Sequence, residues 1–596
     1  MADYTVRQDG TAANLAAALN GNPATASQCL SLAGLTSYGS GAAAGDRFLF
    51  ESTNGGTYRP LPGAAVTDEN IWLPLGGTLG HSVEYRAYPG HSPVISGAHD
   101  LTSAAYKWTE SPATAGEYYC ELAAGGDPSL ADPNQLFMDD VRLEKGTIGA
   151  LADHEWEYGN NDTLGYNTVY IADASGDPDT TAVQIEGSVS QRCLGIANKS
   201  YITVDGIVFE KAREDCVTLA TNTTAMTGIV FSNCEFNRAY WRGIAGGHTE
   251  GWEDCTATIE DCLVSYNALD GIHAARETVS WVIRRNECHH NASYKSSPGG
   301  YGTDNADIKT NFSGGHVIEK NYIHDSYHVG IWCDTGGSGI YIRWNRVATM
   351  PGTADPSSAG IGIRVEDGIV DSFVYGNVVT GCEDAGISVA GTGTVYTYIR
   401  RIKVYNNSCY GNVYGIVVSG TNATADSCVD IHVYNNALSG NTTRNLSCFN
   451  GGDNNPAEGS GNIYKYNFIK DGTGLIYWER AADATKDSVA AWEADATTGT
   501  GVSNNSGLDT LFTSAATGDL SLQSISPCIN YAYNLGSPYN LALNPSSSWP
   551  GAVSTLDQDL HGSGWDVGAY VYAQEGPTGS ASGNKICRIL HLIMGR

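Results

Sequence analysis

The sequence contains no run of eighteen apolar residues, so no segment is expected to cross a membrane as a helix. Its opening, Met-Ala-Asp-Tyr-Thr-Val-Arg, lacks a basic stretch followed by an apolar one and reads as having no secretory signal. Charge is sparse, at 16% of residues, and the 72 glycines argue against helical bundles. Positive charge is scarcest: 33 Lys and Arg against 64 Asp and Glu give a net charge of −31, which argues against duplex nucleic acid and anionic bilayers as partners but leaves room for a polyanionic glycan on a local basic row. Phe is rare (11) beside Tyr (34), and Thr, Ser, Asn and Val are plentiful, a composition of short strands and many turns. The cysteines do not even number a set of pairs: there are 15. Cys234, Cys262, Cys288 and Cys409 follow turn residues at strand-like positions and read as buried free thiols, suited to folding in a reducing compartment.

What is present is a repeat. Asn233, Asp261, Asn286, Asn321, Asn345, Asn377, Asn407 and Asn436 each introduce a short apolar stretch, at intervals of 24 to 35 residues. About ten residues after most of them comes a Gly-Ile pair, as at Gly243, Gly271, Gly330, Gly362, Gly386 and Gly415. Two Gly/Ser/Pro-rich insertions, Ser293–Thr303 and Thr349–Ala359, account for the long intervals and belong on outer loops. Strands of three to six residues repeating at this period predict an all-β solenoid, a parallel β-helix with asparagines stacked at a repeated turn. Propeller blades are longer, and the leucine-rich consensus is missing.

Several stretches carry a family resemblance. "GDRFLFESTNGGTYRPLP", "GHSVEYRAYPGHSPVISGAHDL", "SYITVDGIVFEKA" and "GSGWDVGAYVY" resemble the opening, first regular coil and C-terminal end of right-handed parallel β-helix proteins related to polysaccharide lyases and phage tailspikes. The resemblance covers residues 40 to 575 and implies a right-handed single-stranded β-helix; it carries no catalytic motif. The expected organisation is an N-terminal cap and first coils (1–100), a β-rich insertion (101–185), the central β-helix (186–470), C-terminal coils and a cap (471–575), and a linker with an apolar tail (576–596). Thr11–Asn20, with Leu15 and Leu19, suits a cap helix, and the Pro/Ser-rich stretch 526–549 a wrap over the C-terminal end.

Within this repeat Asp307-Ile-Lys-Thr-Asn returns as Gly330-Ile-Trp-Cys-Asp. With each Ile inward, the next residue points out, so His273, Lys309, Trp332 and Arg364 should stack in one exposed column. Asn311, Asp334 and Glu366 should form a second, with Asp307 and Arg276 beside them. The columns should fade at Ala245, Ser388 and Val417. Such a belt suits an acidic glycan: Trp332 as a stacking platform, Arg364 and His273 pairing with carboxylates, and Asn311, Asp307 and Arg276 adding contacts. For β-elimination Lys309 is the candidate base, its pKa lowered by cationic neighbours. The resemblance to lyases with a Lys or Arg base supports that role, and Asp307 and Asp334 are then possible Ca²⁺ ligands, though no cofactor is required. For hydrolysis the pair is Asp334 and Glu366 on adjacent coils.

Three roles remain open at this point. One is a tailspike or fibre on a virion, assembled as a homotrimer, that binds and depolymerises a surface polysaccharide. The second is a secreted bacterial lyase acting on a uronate-containing glycan. The third is an adhesin without activity. All three place the protein outside the cell or on a virion surface.

Overall fold

The computed structural model describes residues 1–573 except 54–55, 60–70, 103–105, 113, 123–132, 162–164, 222, 248–253, 277, 294, 298–299, 302–304, 353–359, 392–397, 422–426, 452–460, 479–484 and 496–500. The linker and apolar tail therefore lie outside the described residues, as do parts of both insertions.

The chain winds as a parallel β-helix with three long faces. One turn runs through Ala306–Asn311, Val317–Glu319 and Tyr322–His324, then returns at Val329–Asp334 directly beside its start. The three faces form sheets of 12, 14 and 11 strands. Ile272, Ile308, Ile331, Ile363 and Ile387 pair in register along the first sheet, and all five are fully buried. The Ile column expected from the Gly-Ile spacing is thus the inner lining of the coil. All fourteen cysteines described are buried and free.

The corner between the second and third faces explains the recurring asparagine. A residue in the left-handed conformation, such as Arg285, Lys320, Trp344 or Asn406, is followed by the buried Asn286, Asn321, Asn345 or Asn407. Each amide donates to the next coil's amide oxygen and to a core carbonyl: Asn345 Nδ2 reaches Asn377 Oδ1 at 3.0 Å and the Ile318 carbonyl at 2.9 Å. The ladder continues through Asn436 and Asn467 to Asn505. These bonds satisfy backbone groups at a bend no sheet could reach, and they offset the strain of positive φ at non-glycine residues. The first two repeats are shifted by one residue from the expected alignment. Asn233 and Asp261 hold the left-handed corner itself, and Cys234 and Cys262 take the rung position.

The ends differ from expectation in detail. The cap helix is only Leu15–Ala18, with Leu19 46% exposed; a second helix, Leu32–Tyr38, instead seats Leu32 and Leu35 on the first coil. At the other end Trp492, on the helix Val489–Asp495, packs against Trp478 and Tyr464. The stretch 526–549 does not wrap that end. It runs back along the outside: Tyr533 meets Asn435, Tyr539 meets Asn406, and the Leu541 carbonyl accepts from Trp344. Between Ala98 and Ser188 the chain leaves the coil to form a four-stranded and a five-stranded sheet with their own core, including Trp108, Leu136, Trp156 and Ile171.

Candidate functional site

The outer surface of the first sheet carries the candidate residues, and their register is as the Ile alignment requires. His273 pairs with Lys309, Lys309 with Trp332, and Trp332 with Arg364; Asn311 pairs with Asp334. Their expected exposure is corrected. Lys309 is 1% exposed, and His273 and Trp332 7% each. Strands only about 4.8 Å apart bring long side chains of one column into contact, so they cover each other. The Lys309 ammonium sits 4.1 Å from the Trp332 ring centroid and 3.7 Å from Asp334, and the Arg364 guanidinium lies 5.0 Å from that ring centroid. Trp332, held by two cations and packed with Val329, Ile361 and Ala385, is not an open platform for a sugar.

His273 contacts Asn311 through Nε2 at 3.1 Å and Asp270 through Nδ1 at 2.8 Å. Burial pushes the imidazole's pKa down, with Asp270 opposing. Asp270 is held well below the usual carboxylate range: His273, Lys309 and Arg242 outweigh a large burial effect. Arg276 stands at the strand end, over the Phe312 ring at 4.6 Å.

Asp307 is corrected most. It is fully buried, on the inner side of the coil, where other coils have glycine. A Cβ at Gly271 or Gly386 would come within about 3 Å of the next amide rung, Asn291 or Asn412. After Asp307 that rung is the shorter Ser326, and the carboxylate fills the space, accepting from Ser326 Oγ and Asn291 Nδ2 at 2.7 Å each. It faces neither substrate nor solvent.

Among the described residues the group that could hold a metal is Asp334, Glu366 and Asp367, with ligand atoms within 4.8 Å of one another. Asp307 has no part in it. Glu366 already accepts from Trp332 Nε1 at 3.0 Å through one oxygen and from Arg364 through the other, an arrangement for a carboxylate facing a guanidinium rather than a metal ion. Burial raises the Glu366 pKa, Arg364 counteracts it, and Asp367 and Asp334 add to the rise.

A groove of about 590 Å³ opens one step further along, where the columns were expected to fade. Its floor is made by small side chains, Ser388, Ala390, Ser419 and Ser447, on neighbouring strands. Arg364 and Asp384 bound one end, and Tyr414, Arg444 and Tyr477 the other, with Arg444 4.4 Å from the Tyr477 ring centroid. Burial raises the Asp384 pKa, and Arg364 opposes it. Sequence reasoning missed Asp384, Tyr414, Arg444 and Tyr477 because it followed large and charged residues, whereas a groove is marked by small ones between them.

Residues 252–401 match the family model described as right handed beta helix region. No curated protein sequence matches the chain. Among solved structures, the complex of XylC with xylose is similar with a TM-score of 0.53 and 14% identity, covering 85% of this chain and 82% of that one. A structure described as a glycoside hydrolase has a TM-score of 0.50 and 10% identity, covering 78% and 96%. Pectate lyase Pel9A has a TM-score of 0.38 and 12% identity over 96% of both chains. At such identities the likeness concerns the fold. The family match and the coils described above make this chain a right-handed parallel β-helix, as the resemblance implied.

Proposed function

We propose that this protein binds a polysaccharide along the groove and hydrolyses a glycosidic bond at its Arg364–Asp384 end. The observation that carries the reading is a trough floored by small side chains, with Asp384 and Arg364 bounding one end and the buried Glu366 hydrogen-bonded to that Arg364. Hydrolysis needs one protonated carboxyl to donate to the leaving oxygen and one ionised carboxylate to attack or activate water. Asp384, which lines the groove, is the acid. Glu366, held by Arg364 and Trp332, is its partner. Tyr477 and Tyr414 supply ring faces for sugar C–H surfaces, and Arg444 a donor fork for hydroxyls or carboxylates. Elimination by Lys309 is less supported, because its ammonium is buried against Asp334 and Trp332.

The setting we propose is a tailspike or fibre on a virion, trimeric, reading a surface glycan. Fourteen buried unpaired cysteines support folding in a reducing compartment before release, rather than export as a secreted lyase. The test is a panel of neutral and uronate-containing polysaccharides, with reducing ends and the ultraviolet absorbance of unsaturated sugars followed together. Hydrolysis gives reducing ends alone, and Asp384→Asn and Glu366→Gln each lose ~10²-fold or more. Unsaturated product abolished by Lys309→Ala would replace this reading with elimination. Binding without cleavage of any panel member would leave an adhesin.

A further inference from the structure

The groove carries its charge unevenly. Arg364, at one end, is already engaged by Glu366 in an ion pair. At the other end stands the half-buried Arg444. Among the described residues no carboxylate pairs with it and its side chain makes no hydrogen bond; its contact is the Tyr477 ring, 4.4 Å from guanidinium to centroid. In a chain with 64 acidic residues against 33 basic ones, this is a cation kept clear of the protein's own acids. The ring fixes the plane of the fork without using its N–H groups. Nη1 is closed off from solvent, but the edge formed by Nε and Nη2 is not, and Arg444 lines the groove.

Between the two ends the lining is neutral. Ser388, Ala390, Ser419 and Ser447 offer hydroxyls and methyl groups but no cation. The strands that carry the two arginines, Ile361–Glu366 and Arg444–Gly451, are separated by Ala385–Gly391 and Tyr414–Thr421. Their interval is therefore three strand spacings, about 14 Å, room for roughly three sugar rings. A sugar carboxylate at the Arg364 end would meet Asp384 and Glu366, with Arg364 already paired. One lying over the floor would lose water with no cation to replace it. At Arg444 it gains a charge-assisted, two-pronged contact.

We propose that the groove selects a glycan whose repeat carries one oxyanion among neutral sugars, read by Arg444 at the end remote from Asp384, and rejects a chain charged on every ring. This rests on the groove being the glycan site and not on cleavage there. Arg444 sets the specificity and Tyr477 positions it, while Asp384 and Glu366 repel dense negative charge.

The full-length protein is titrated calorimetrically with the tetrasaccharide repeat of deacylated gellan, which has a single glucuronate among neutral sugars, with its carboxyl-reduced form, and with tetragalacturonate. Reducing ends are followed in parallel. The single-acid tetrasaccharide binds, and the other two bind at least about tenfold more weakly. Arg444→Gln weakens the single-acid form by about tenfold and the reduced form far less, and Arg444→Lys, which keeps the charge without the fork, falls between. Sulfation of the reduced tetrasaccharide separates the two sources of an oxyanion: restored affinity assigns the fork to carboxylate and sulfate alike, and no restoration to carboxylate alone. The same preference without any reducing ends would support the inference and remove hydrolysis. Equal affinity for the acid and reduced forms, tightest binding of tetragalacturonate, an equal loss for both forms in Arg444→Gln, or no binding of any form would each overturn it.

Discussion

Substituting Asp307 by Asn tests whether a carboxyl inside the coil makes stability depend on pH. Burial pushes Asp307 up from an ordinary 3.8 to about 7, against the opposing hydrogen bonds from Asn291 and Ser326. Among the described residues its Oδ2 has no hydrogen-bond partner. The folded chain therefore holds a proton that the unfolded chain releases near 3.8. Below that pH both states are protonated and the site's contribution is intact. As pH rises towards 7 stability falls, because the unfolded state alone gains from ionising. The full loss is on the order of 4 kcal/mol, of which roughly 2 to 3 falls between pH 5 and pH 7.5. Asn preserves an oxygen for Asn291 and Ser326 but cannot ionise. Among the described residues its amide N–H₂ meets no acceptor where Oδ2 lay, a cost that does not vary with pH, so the informative quantity is the slope. Urea unfolding of both proteins at about pH 5 and about pH 7.5 should show the wild type losing those roughly 2 to 3 kcal/mol relative to the variant. Parallel pH dependences would refute the argument and mean that the Asp307 site is better solvated than its burial implies.

Asn345→Ala removes a rung that donates to Ile318 and Asn377 and accepts from Asn321. Orphaning several buried groups at about 1 kcal/mol or more each should cost on the order of 4 kcal/mol in chemical unfolding, and a loss below about 1 would show that water replaces the rung. Trp332→Ala should lower stability by about 3 to 5 kcal/mol in the same assay, because the ring fills a packed cluster. Tyr477→Ala should instead leave the melting temperature unchanged and raise KM for the cleaved glycan; an unchanged KM would remove Tyr477 from the binding surface.

The solenoid was legible because its signals repeat. Ile at a fixed place after Gly, and Asn at a fixed corner, each recur through many coils, so errors at single positions did not disturb the register. The site was less legible for two physical reasons. Strict in-and-out alternation fails at corners, where Asp307 takes a glycine position and turns inward although its neighbour Lys309 turns outward. Exposure of a column also depends on what the next coil stacks upon it: His273, Lys309, Trp332 and Arg364 conceal one another. Ser388, Ala390, Ser419 and Ser447 carry no chemical signal alone, and only the structure shows that they form a floor. The ladder's one-residue shift at Cys234 and Cys262 was hidden for a similar reason, since Asn233 and Asp261 imitate the rung they precede.

The returning C-terminal stretch has a consequence for the order in which the molecule can form and come apart. A solenoid ordinarily frays from its last coil, because each coil leans only on its neighbours. Here aromatic side chains of the final stretch lie across coils far apart in the chain: Tyr531 on Phe468, Tyr533 on Tyr434 and Tyr539 on Tyr405, Tyr375 and Phe373. These residues emerge from the ribosome after every coil they touch, so the strap cannot close before the coils beneath it are stacked. Once closed, it ties together strands that would otherwise peel away singly, and a protease or shear force meets a latch rather than a loose end.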